Sequence, residues 1–267
     1  MASHKVKIDL GSTSTVLPID YQQGRSVLAL FPAHLGRLKA LMPTPAYVPA
    51  RIAPGVGAVA VAAYEYQETS LGAFNELAIV VPLAEGGNLP GQALISALRT
   101  GRSPGYVHRL PVTTDLARDA GKIPYGFPKW TAPVEFTDGP GTLTATLFDA
   151  GRPVLQLDTE LPGGPARQAV LDIEVRLWDD DLPQSCLFRV QARELTQAMG
   201  RAGAAMRLHQ HPIARELGSL LLSRKAFALQ HMASFGAQLF APDRLSEQIA
   251  HRLGTPAAEI ARASRPA

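Results

Sequence analysis

The chain alternates short apolar runs with turn-forming residues along most of its length, a pattern typical of a protein built from many strands. Leucines at helical spacing predict one short helix over 34–42, which ends because Pro43 disfavours the helical conformation of the residue before it. Thr114 and Asp115 predict the start of a second helix, which we expect to end at Gly121. Runs of small, β-branched and aromatic residues predict strands at 27–31, 58–66, 76–83 and 106–112.

The second half of the chain is rich in predicted hairpins. From residue 194 onward the spacing of the apolar residues changes to that of a helix, which predicts helices over 194–208 and 212–222. Residues 226–239 have a mixed pattern. Residues after 241 are expected to form a peripheral helix and a frayed end. Alternating segments between Gly, Pro and Asp turns predict strands at 132–137, 142–148, 153–161, 170–178 and 185–192.

Many short strands with a few short helices predict an α+β fold with a large antiparallel sheet or β-barrel. We expect a single domain over 1–267, with 1–20 and 245–267 at its periphery. The sequence has no internal repeat of fixed period. It also lacks a glycine-rich fingerprint after a strand and a Walker A sequence, so a nucleotide-binding fold is not predicted.

Composition and charge narrow the classes of function. The net charge is +3, but the arginines are scattered and only 6% of residues are aromatic, so nucleic-acid binding is not predicted. The sequence contains no apolar run of about 18 residues that would indicate a membrane span, and residues 1–10 lack the apolar core of a secretory signal. The single Cys186 excludes an intramolecular disulfide and suits a reducing compartment, so we expect a cytoplasmic protein.

One lysine stands in an unusual setting. Only six of the 26 basic residues are lysines, and Lys129 lies between Pro128 and Trp130, just after Tyr125 and Phe127. Burial favours the neutral amine, and a neutral amine can attack a carbonyl carbon, which makes Lys129 a candidate Schiff-base nucleophile. The alternative is a lysine whose stem packs on the aromatic rings while its ammonium group reaches water.

Other candidate chemistry is weaker. The histidines, among them His209 and His211, show no zinc-ligand spacing, and His211 is interpreted as the residue that enters the following helix. Asp179, Asp180 and Asp181 are three consecutive carboxylates without EF-hand spacing, which favours a solvated turn over a calcium site. We therefore expect no metal site, and the absence of a Gly-x-Ser-x-Gly elbow argues against a serine hydrolase.

Two segments resemble the acetoacetate decarboxylase family. Residues 71–82 are similar to the family's glycine-aromatic-x-Glu stretch, which leads into an apolar strand ending in proline, and the glutamate is Glu76. Residues 121–129 resemble the family's Gly-Arg-Glu-x-x-x-Phe-Pro-Lys stretch, in which the lysine, here Lys129, forms the Schiff base. The later strands and the His211–Pro212 entry to an apolar helix also fit the family layout, so the resemblance covers 20–245.

The resemblance implies a cone-like β-barrel in which Lys129 is the nucleophile and Glu76 an acid/base or substrate-orienting residue. The alternative for Glu76 is a carboxylate in water at the start of a strand. Arg25 aligns, across a one-residue gap, with the family's arginine for the substrate carboxylate, and a planar guanidinium suits that role. The alternatives are that Arg25 is a solvated loop charge and that Arg102 or Arg109 holds the carboxylate.

The resemblance also implies an apolar pocket and an oligomer. Tyr125, Phe127 and Trp130 would supply dry walls around the substrate. The family works without a metal or organic cofactor and assembles into multimers, so we expect a homo-oligomer whose partner is a small oxo-acid.

Three positions depart from the family pattern. The archetype has a second lysine directly after the first, whereas Trp130 follows Lys129 here, so desolvation alone would have to favour the neutral amine. Ile123 replaces the glutamate of the family's Gly-Arg-Glu, and Val61 stands where a second family glutamate is expected.

The main hypothesis is therefore a lyase that decarboxylates a β-keto acid, such as acetoacetate, through an imine and an enamine on Lys129. An aldolase–dehydratase acting on a pyruvate-like acid through the same imine is the second hypothesis. The third is a ligand-binding protein that keeps the fold but does not turn over substrate. The sequence does not distinguish among them.

Overall fold

The computed structural model describes residues 5–11, 13–85, 87–179, 182–200, 202–242, 256–264 and 266. The strands are β1 (Val6–Asp9), β2 (Ser14–Leu17), β3 (Ile19–His34), β4 (Arg51–Ala53), β5 (Val56–Thr69), β6 (Phe74–Pro82), β7 (Arg102–Val112), β8 (Lys129–Thr131), β9 (Val134–Gly139), β10 (Thr142–Asp149), β11 (Arg152–Glu160), β12 (Arg167–Asp179), β13 (Leu182–Met199), β14 (Ala204–Leu208) and β15 (Ala228–Leu239). The helices are α1 (Leu35–Leu41), α2 (Gln92–Thr100), α3 (Asp115–Tyr125), α4 (Pro212–Leu220) and α5 (Ala257–Arg262).

Seven of these strands close into a barrel, in the order β12-β13-β15-β3-β5-β6-β7. Neighbours along this order are antiparallel, and the barrel is closed by a parallel pairing between β7 and β12. β8 adds to the end of β7 in parallel register, with Lys129 opposite Leu110. A second, four-stranded sheet has the order β14-β11-β10-β9. The predicted α+β fold with a β-barrel is therefore confirmed.

The barrel wall separates two hydrophobic cores. Successive side chains of a strand point to opposite faces, so one strand can contribute to both. On β6, Ala78 faces the interior of the barrel, whereas Leu77 and Ile79 pack on the outside against the four-stranded sheet and α4. This two-sided burial explains why the sequence of β6 is an almost continuous apolar run rather than an alternating one.

The predicted helix over 194–208 is wrong. Residues 194–199 continue β13, which pairs with β15 so that Leu195 lies opposite Met232 and Met199 opposite Ala228. The ladder has register shifts at Glu194, which displace the alternation of apolar residues and give it a helical spacing in the sequence. Pairing on a long barrel strand thus overrides the local pattern.

The second predicted helix is longer than expected, because α3 runs past Gly121 to Tyr125. Its end is set by Gly126, whose φ of 74° is the left-handed conformation that glycine adopts without strain. Helix α2 was not predicted. The predicted turn residues Asp180 and Asp181 and much of the predicted peripheral segment 245–267 lie outside the described residues. Two of the histidines without zinc-ligand spacing, His4 and His251, also lie outside them.

Candidate active site

Lys129 and Glu76 lie on different strands but face the same space inside the barrel. Glu76 is near the start of β6, opposite Tyr64 on β5 and Val112 on β7. Lys129 begins β8, which pairs with the same end of β7. The tight pairing of three strands therefore fixes the positions of both backbones.

The two side chains form a buried ion pair. Nζ of Lys129 lies 2.9 Å from Oε2 of Glu76, and the side chains are only 4% and 9% exposed. Nζ also donates a hydrogen bond to the carbonyl oxygen of Ala117 on α3, at 3.3 Å. A charged pair at such depth is sensitive to the loss of either partner, because the remaining charge would be buried without compensation.

A glycine on α3 makes room for the lysine. A Cβ atom at Gly121 would lie 2.6 Å from both Cδ and Cε of Lys129 and 3.0 Å from its Nζ. Any side chain at this helix position would therefore collide with the lysine stem. The glycine predicted as a helix end is instead a packing site for Lys129.

Aromatic rings surround the pair. The centroids of Phe127 and Phe74 lie 5.5 and 5.9 Å from Nζ of Lys129. The hydroxyl of Tyr66 donates a hydrogen bond to Oε1 of Glu76 at 3.3 Å. An ionisable pair among rings has weak solvent screening, so electrostatic interactions inside the barrel are stronger than at the surface.

The tyrosines near Glu76 remain protonated at neutral pH. Burial raises the pKa of Tyr66 well above its usual value, and the negative charge of Glu76 raises it further. The same two causes, burial first, raise the pKa of Tyr21 and of Tyr64. Their hydroxyl groups are thus available as hydrogen-bond donors rather than as bases.

Two of the three predicted pocket walls lie in the interior core with Lys129. Phe127 belongs to the interior core and lies near the amine of Lys129, and its ring centroid is 5.5 Å from that of Tyr125. Tyr125 is fully buried, and its hydroxyl donates to the carbonyl oxygen of Leu239 at 3.2 Å. Trp130 packs instead on the outer core, because the next residue of β8 points to the opposite face.

The structure does not bring Arg25 to the Lys129–Glu76 pair. Arg25 lies opposite Glu65 on β5, one residue out of step with Tyr64, which is opposite Glu76. Its guanidinium group is on the outer face, where it forms ion pairs with Glu65 and with Asp138, the latter at 2.6 Å.

The alternative arginines also have other positions. Arg109 donates to Glu216 of α4 at 2.9 Å, on the outer side of the barrel. Arg102 is exposed at the start of β7, far along that strand from Val112, the residue opposite Glu76. Among the three arginines considered, none contacts the ion pair.

Residues that sequence reasoning missed are Tyr66, Phe74 and Gly121. The hairpin around residues 69–73 could have indicated Tyr66 and Phe74. Its register places Tyr66 opposite Phe74, and Phe74 is two residues before Glu76 and therefore on the same face of β6. Gly121 was seen, but its role depends on how α3 packs against β8, which spacing along the chain does not reveal.

The described part of the chain offers neither a cluster of metal ligands nor a helix that could span a membrane. It has no group of three His, Cys, Asp or Glu side chains placed to hold a metal ion. His211 is the N-cap of α4, its Nδ1 accepting from the Ile213 amide at 3.2 Å, as its position before Pro212 predicts. None of the described helices is both long and apolar enough to cross a membrane.

The arrangement can exchange a proton between an amine and a carboxylate in a dry environment. If the proton on Nζ moves to Oε2 of Glu76, both groups become neutral. The amine then carries a lone pair and has an adjacent acid that can return the proton. These are the two requirements of an amine nucleophile with an acid/base partner.

Comparison with known proteins agrees with this fold. The family model described as acetoacetate decarboxylase (ADC) matches residues 44–233, which is most of the chain. An acetoacetate decarboxylase structure from Legionella pneumophila subsp. pneumophila str. Philadelphia 1 has a TM-score of 0.59 at 14% identity, covering 86% of this chain and 87% of that one. No curated protein sequence matches this chain.

Two further structures are similar. The enduracididine biosynthesis enzyme MppR complexed with pyruvate has a TM-score of 0.60 at 14% identity, covering 86% of this chain and 91% of that one. Another acetoacetate decarboxylase structure has a TM-score of 0.57 at 15% identity, with 84% and 87% coverage. At these identities the similarity establishes a shared fold.

Proposed function

Because this chain belongs to the acetoacetate decarboxylase family, we propose that it is a lyase that forms a Schiff base between Lys129 and a small oxo-acid and releases carbon dioxide from a β-keto acid. The observation that carries this proposal is the buried contact of 2.9 Å between Nζ of Lys129 and Oε2 of Glu76. This contact supports the proposal because an amine that can act as a nucleophile lies beside a carboxylate that can accept its proton, and both side chains are largely shielded from water.

The reaction begins with proton transfer from the Lys129 ammonium group to Glu76. The neutral amine attacks the ketone carbon, and the carbonyl oxygen takes up a proton to give a carbinolamine. Loss of water leaves a protonated imine. The bond to the carboxylate then breaks, its electron pair moves into the iminium group, and carbon dioxide leaves an enamine. Protonation of the enamine carbon and hydrolysis release the ketone and regenerate Lys129.

The rings around the amine favour the bond-breaking step. Phe127 and Phe74 surround Nζ, and an apolar environment destabilises a carboxylate relative to neutral carbon dioxide. The positive charge of the iminium group is the electron sink for this step. Glu76 is the nearest group that can return a proton to the enamine.

A second candidate uses the same imine. A pyruvate-like acid would lose an α-proton to Glu76, and the resulting enamine would attack an aldehyde or expel a β-hydroxyl group. Its support is the fold shared with the enduracididine biosynthesis enzyme MppR, which is complexed with pyruvate in one structure.

The test is intact-mass and peptide-mass analysis after borohydride reduction in the presence of acetoacetate or, separately, pyruvate. A carboxyl-free isopropyl adduct on Lys129 after acetoacetate is expected, since it reports imine formation followed by loss of carbon dioxide. A carboxyl-bearing adduct formed only with pyruvate would favour the aldolase–dehydratase reaction. No adduct with either acid or a wider set of carbonyl compounds would favour the ligand-binding protein.

Variants assign the adduct. Lys129→Arg is expected to abolish trapping, whereas Lys122→Arg, a matched change at an exposed lysine of α3, should leave it unchanged. Glu76→Gln keeps the size of the side chain but cannot accept the amine proton, so we expect turnover to fall by about 100-fold or more. Unchanged turnover in Lys129→Arg would contradict the Schiff-base mechanism.

A further inference from the structure

We propose that Tyr66 is a positioning residue that holds the Glu76 carboxylate so that Oε2, and not Oε1, exchanges protons with Lys129. This inference rests on the proposed function, because it assigns a role in the same reaction. Its support comes from three features of the interior of the barrel.

The first feature is the division of the two carboxylate oxygens. Oε1 of Glu76 accepts the hydroxyl hydrogen of Tyr66 at 3.3 Å, and Oε2 contacts Nζ of Lys129 at 2.9 Å. A glutamate has three rotatable side-chain bonds, so a carboxylate bound at one oxygen only can rotate or tilt away. The two contacts together define the orientation of the plane of the carboxylate.

The second feature is that the Tyr66 ring is held on several sides. Its centroid lies 4.6 Å from that of Tyr21, 4.7 Å from Phe74, 5.5 Å from Tyr64 and 6.0 Å from Phe235. Tyr66 as a whole residue is only 2% exposed. A hydroxyl on such a ring has little freedom to follow a moving carboxylate, so it acts as a fixed donor.

The third feature is the protonation state of that hydroxyl. Burial and the charge of Glu76 raise the pKa of Tyr66 well above its usual value. Tyr66 therefore donates to Glu76 throughout the pH range in which an oxo-acid lyase would be assayed. A donor that never ionises cannot compete with Glu76 for the proton of the amine.

The chain supplies a matched control two residues away. Tyr64 lies on the same strand and the same face, its ring is parallel to that of Tyr66 with an interplanar angle of 2°, and it is 7% exposed. Its hydroxyl makes no hydrogen bond to Glu76 among the contacts of the described residues. Tyr64 lies opposite Glu76 and senses its charge, but Tyr64→Phe removes a buried hydroxyl that makes no hydrogen bond to the carboxylate.

The experiment compares steady-state kinetics of wild type, Tyr66→Phe and Tyr64→Phe, each also in the Glu76→Gln background. We expect Tyr66→Phe to lower kcat by about 10-fold or more with little change in KM, as for loss of a hydrogen bond to a charged group. Tyr64→Phe should stay within about twofold of wild type on the same scale. In Glu76→Gln, Tyr66→Phe should have almost no further effect, since the two residues act as one unit.

Equal losses in Tyr66→Phe and Tyr64→Phe, or a Tyr66→Phe effect that persists fully in Glu76→Gln, would overturn the inference and leave Tyr66 with a packing role. If wild type forms no imine with any acid, the proposed function fails, and the inference is decided by labelling. Lys129 is then acetylated with acetic anhydride and the rate followed by mass spectrometry. A rate change of about threefold or more confined to Tyr66→Phe would support positioning, and equal rates in all variants would exclude it.

Discussion

Gly121→Ala is the substitution that most directly tests how Lys129 is placed. The new Cβ would lie 2.6 Å from Cδ and Cε of Lys129. Carbon atoms in contact prefer separations of about 3.5–4.0 Å, so the lysine stem must move by about 1 Å. Nζ would then lose its contacts of 2.9 Å with Glu76 and 3.3 Å with the Ala117 carbonyl oxygen. A displacement of that size at a reacting group can reduce the rate by about 100-fold.

The same substitution has a compensating effect on stability. Alanine is favoured over glycine inside a helix by about 0.5–1 kcal/mol, and Gly121 lies within α3. Overpacking a buried site costs about 1–3 kcal/mol. The two effects oppose each other, so together, apart from any cost of separating the ion pair, they should lower the free energy of unfolding by no more than about 2.5 kcal/mol. Gly121→Ala should therefore remain folded while losing activity.

The assay is the rate of borohydride trapping on Lys129 together with the thermal unfolding midpoint. Gly218→Ala on α4 is the matched control, because its Cβ would meet only Cδ1 of Leu208, at 3.2 Å. It adds the same methyl group to a helix that does not contact the ion pair. A Gly121→Ala protein that traps substrate at the wild-type rate would refute the proposed packing of Lys129 against α3.

Two further predictions concern groups outside the barrel interior. Arg25→Ala should change KM for the oxo-acid by less than about twofold, because the guanidinium group pairs with Glu65 and Asp138 on the outer face and not with the site. A rise in KM of about tenfold or more would mean that a binding contact had been lost, and would restore Arg25 as the carboxylate-binding residue. His108 lies 3.0 Å from Glu216, but burial outweighs that charge and lowers the pKa of His108 below its usual value. Below about pH 6.5 the unfolded chain therefore binds a proton at His108 that the folded chain does not. The free energy of unfolding consequently decreases as the pH is lowered, by up to about 1.4 kcal/mol per pH unit. His108→Asn should reduce this slope in denaturant titrations between about pH 5.5 and 7.5, and an unchanged slope would contradict the assignment.

The sequence predicts local features of this fold better than its long-range pairing. The β9–β10–β11 hairpins follow from turn residues and alternation, which act over a few residues. Closure of the barrel depends on β7 pairing with β12, two strands that are far apart in the chain and carry no mutual signal. The strand at 194–199 was predicted as helix for the same reason, since its partner β15 begins only at Ala228.

The candidate site shows the same contrast between local motifs, which the sequence reveals, and long-range strand register, which it does not. The family motifs identify Lys129 and Glu76, and the structure places their charged groups in contact. Arg25 was assigned by alignment, but which face of a strand a residue occupies depends on register. One residue of offset separates Arg25 from Ser26, which lies opposite Tyr64 on the interior face. A one-residue difference in strand register is enough to move a side chain from one face to the other.

The direction of side chains along β8 also decides how much the absence of a second lysine at position 130 affects Lys129. Trp130 follows Lys129 on β8 and packs on the outer core, because neighbouring residues of a strand point to opposite faces. A cation at position 130 would have the strand between its charge and the amine of Lys129. Replacing it with tryptophan therefore removes less repulsion than adjacency in sequence implies. The groups that face the amine lie on its own side of the barrel: Glu76 at 2.9 Å and the rings of Phe127 and Phe74. The loss of the lysine at 130 is thus compatible with a functional Schiff-base amine.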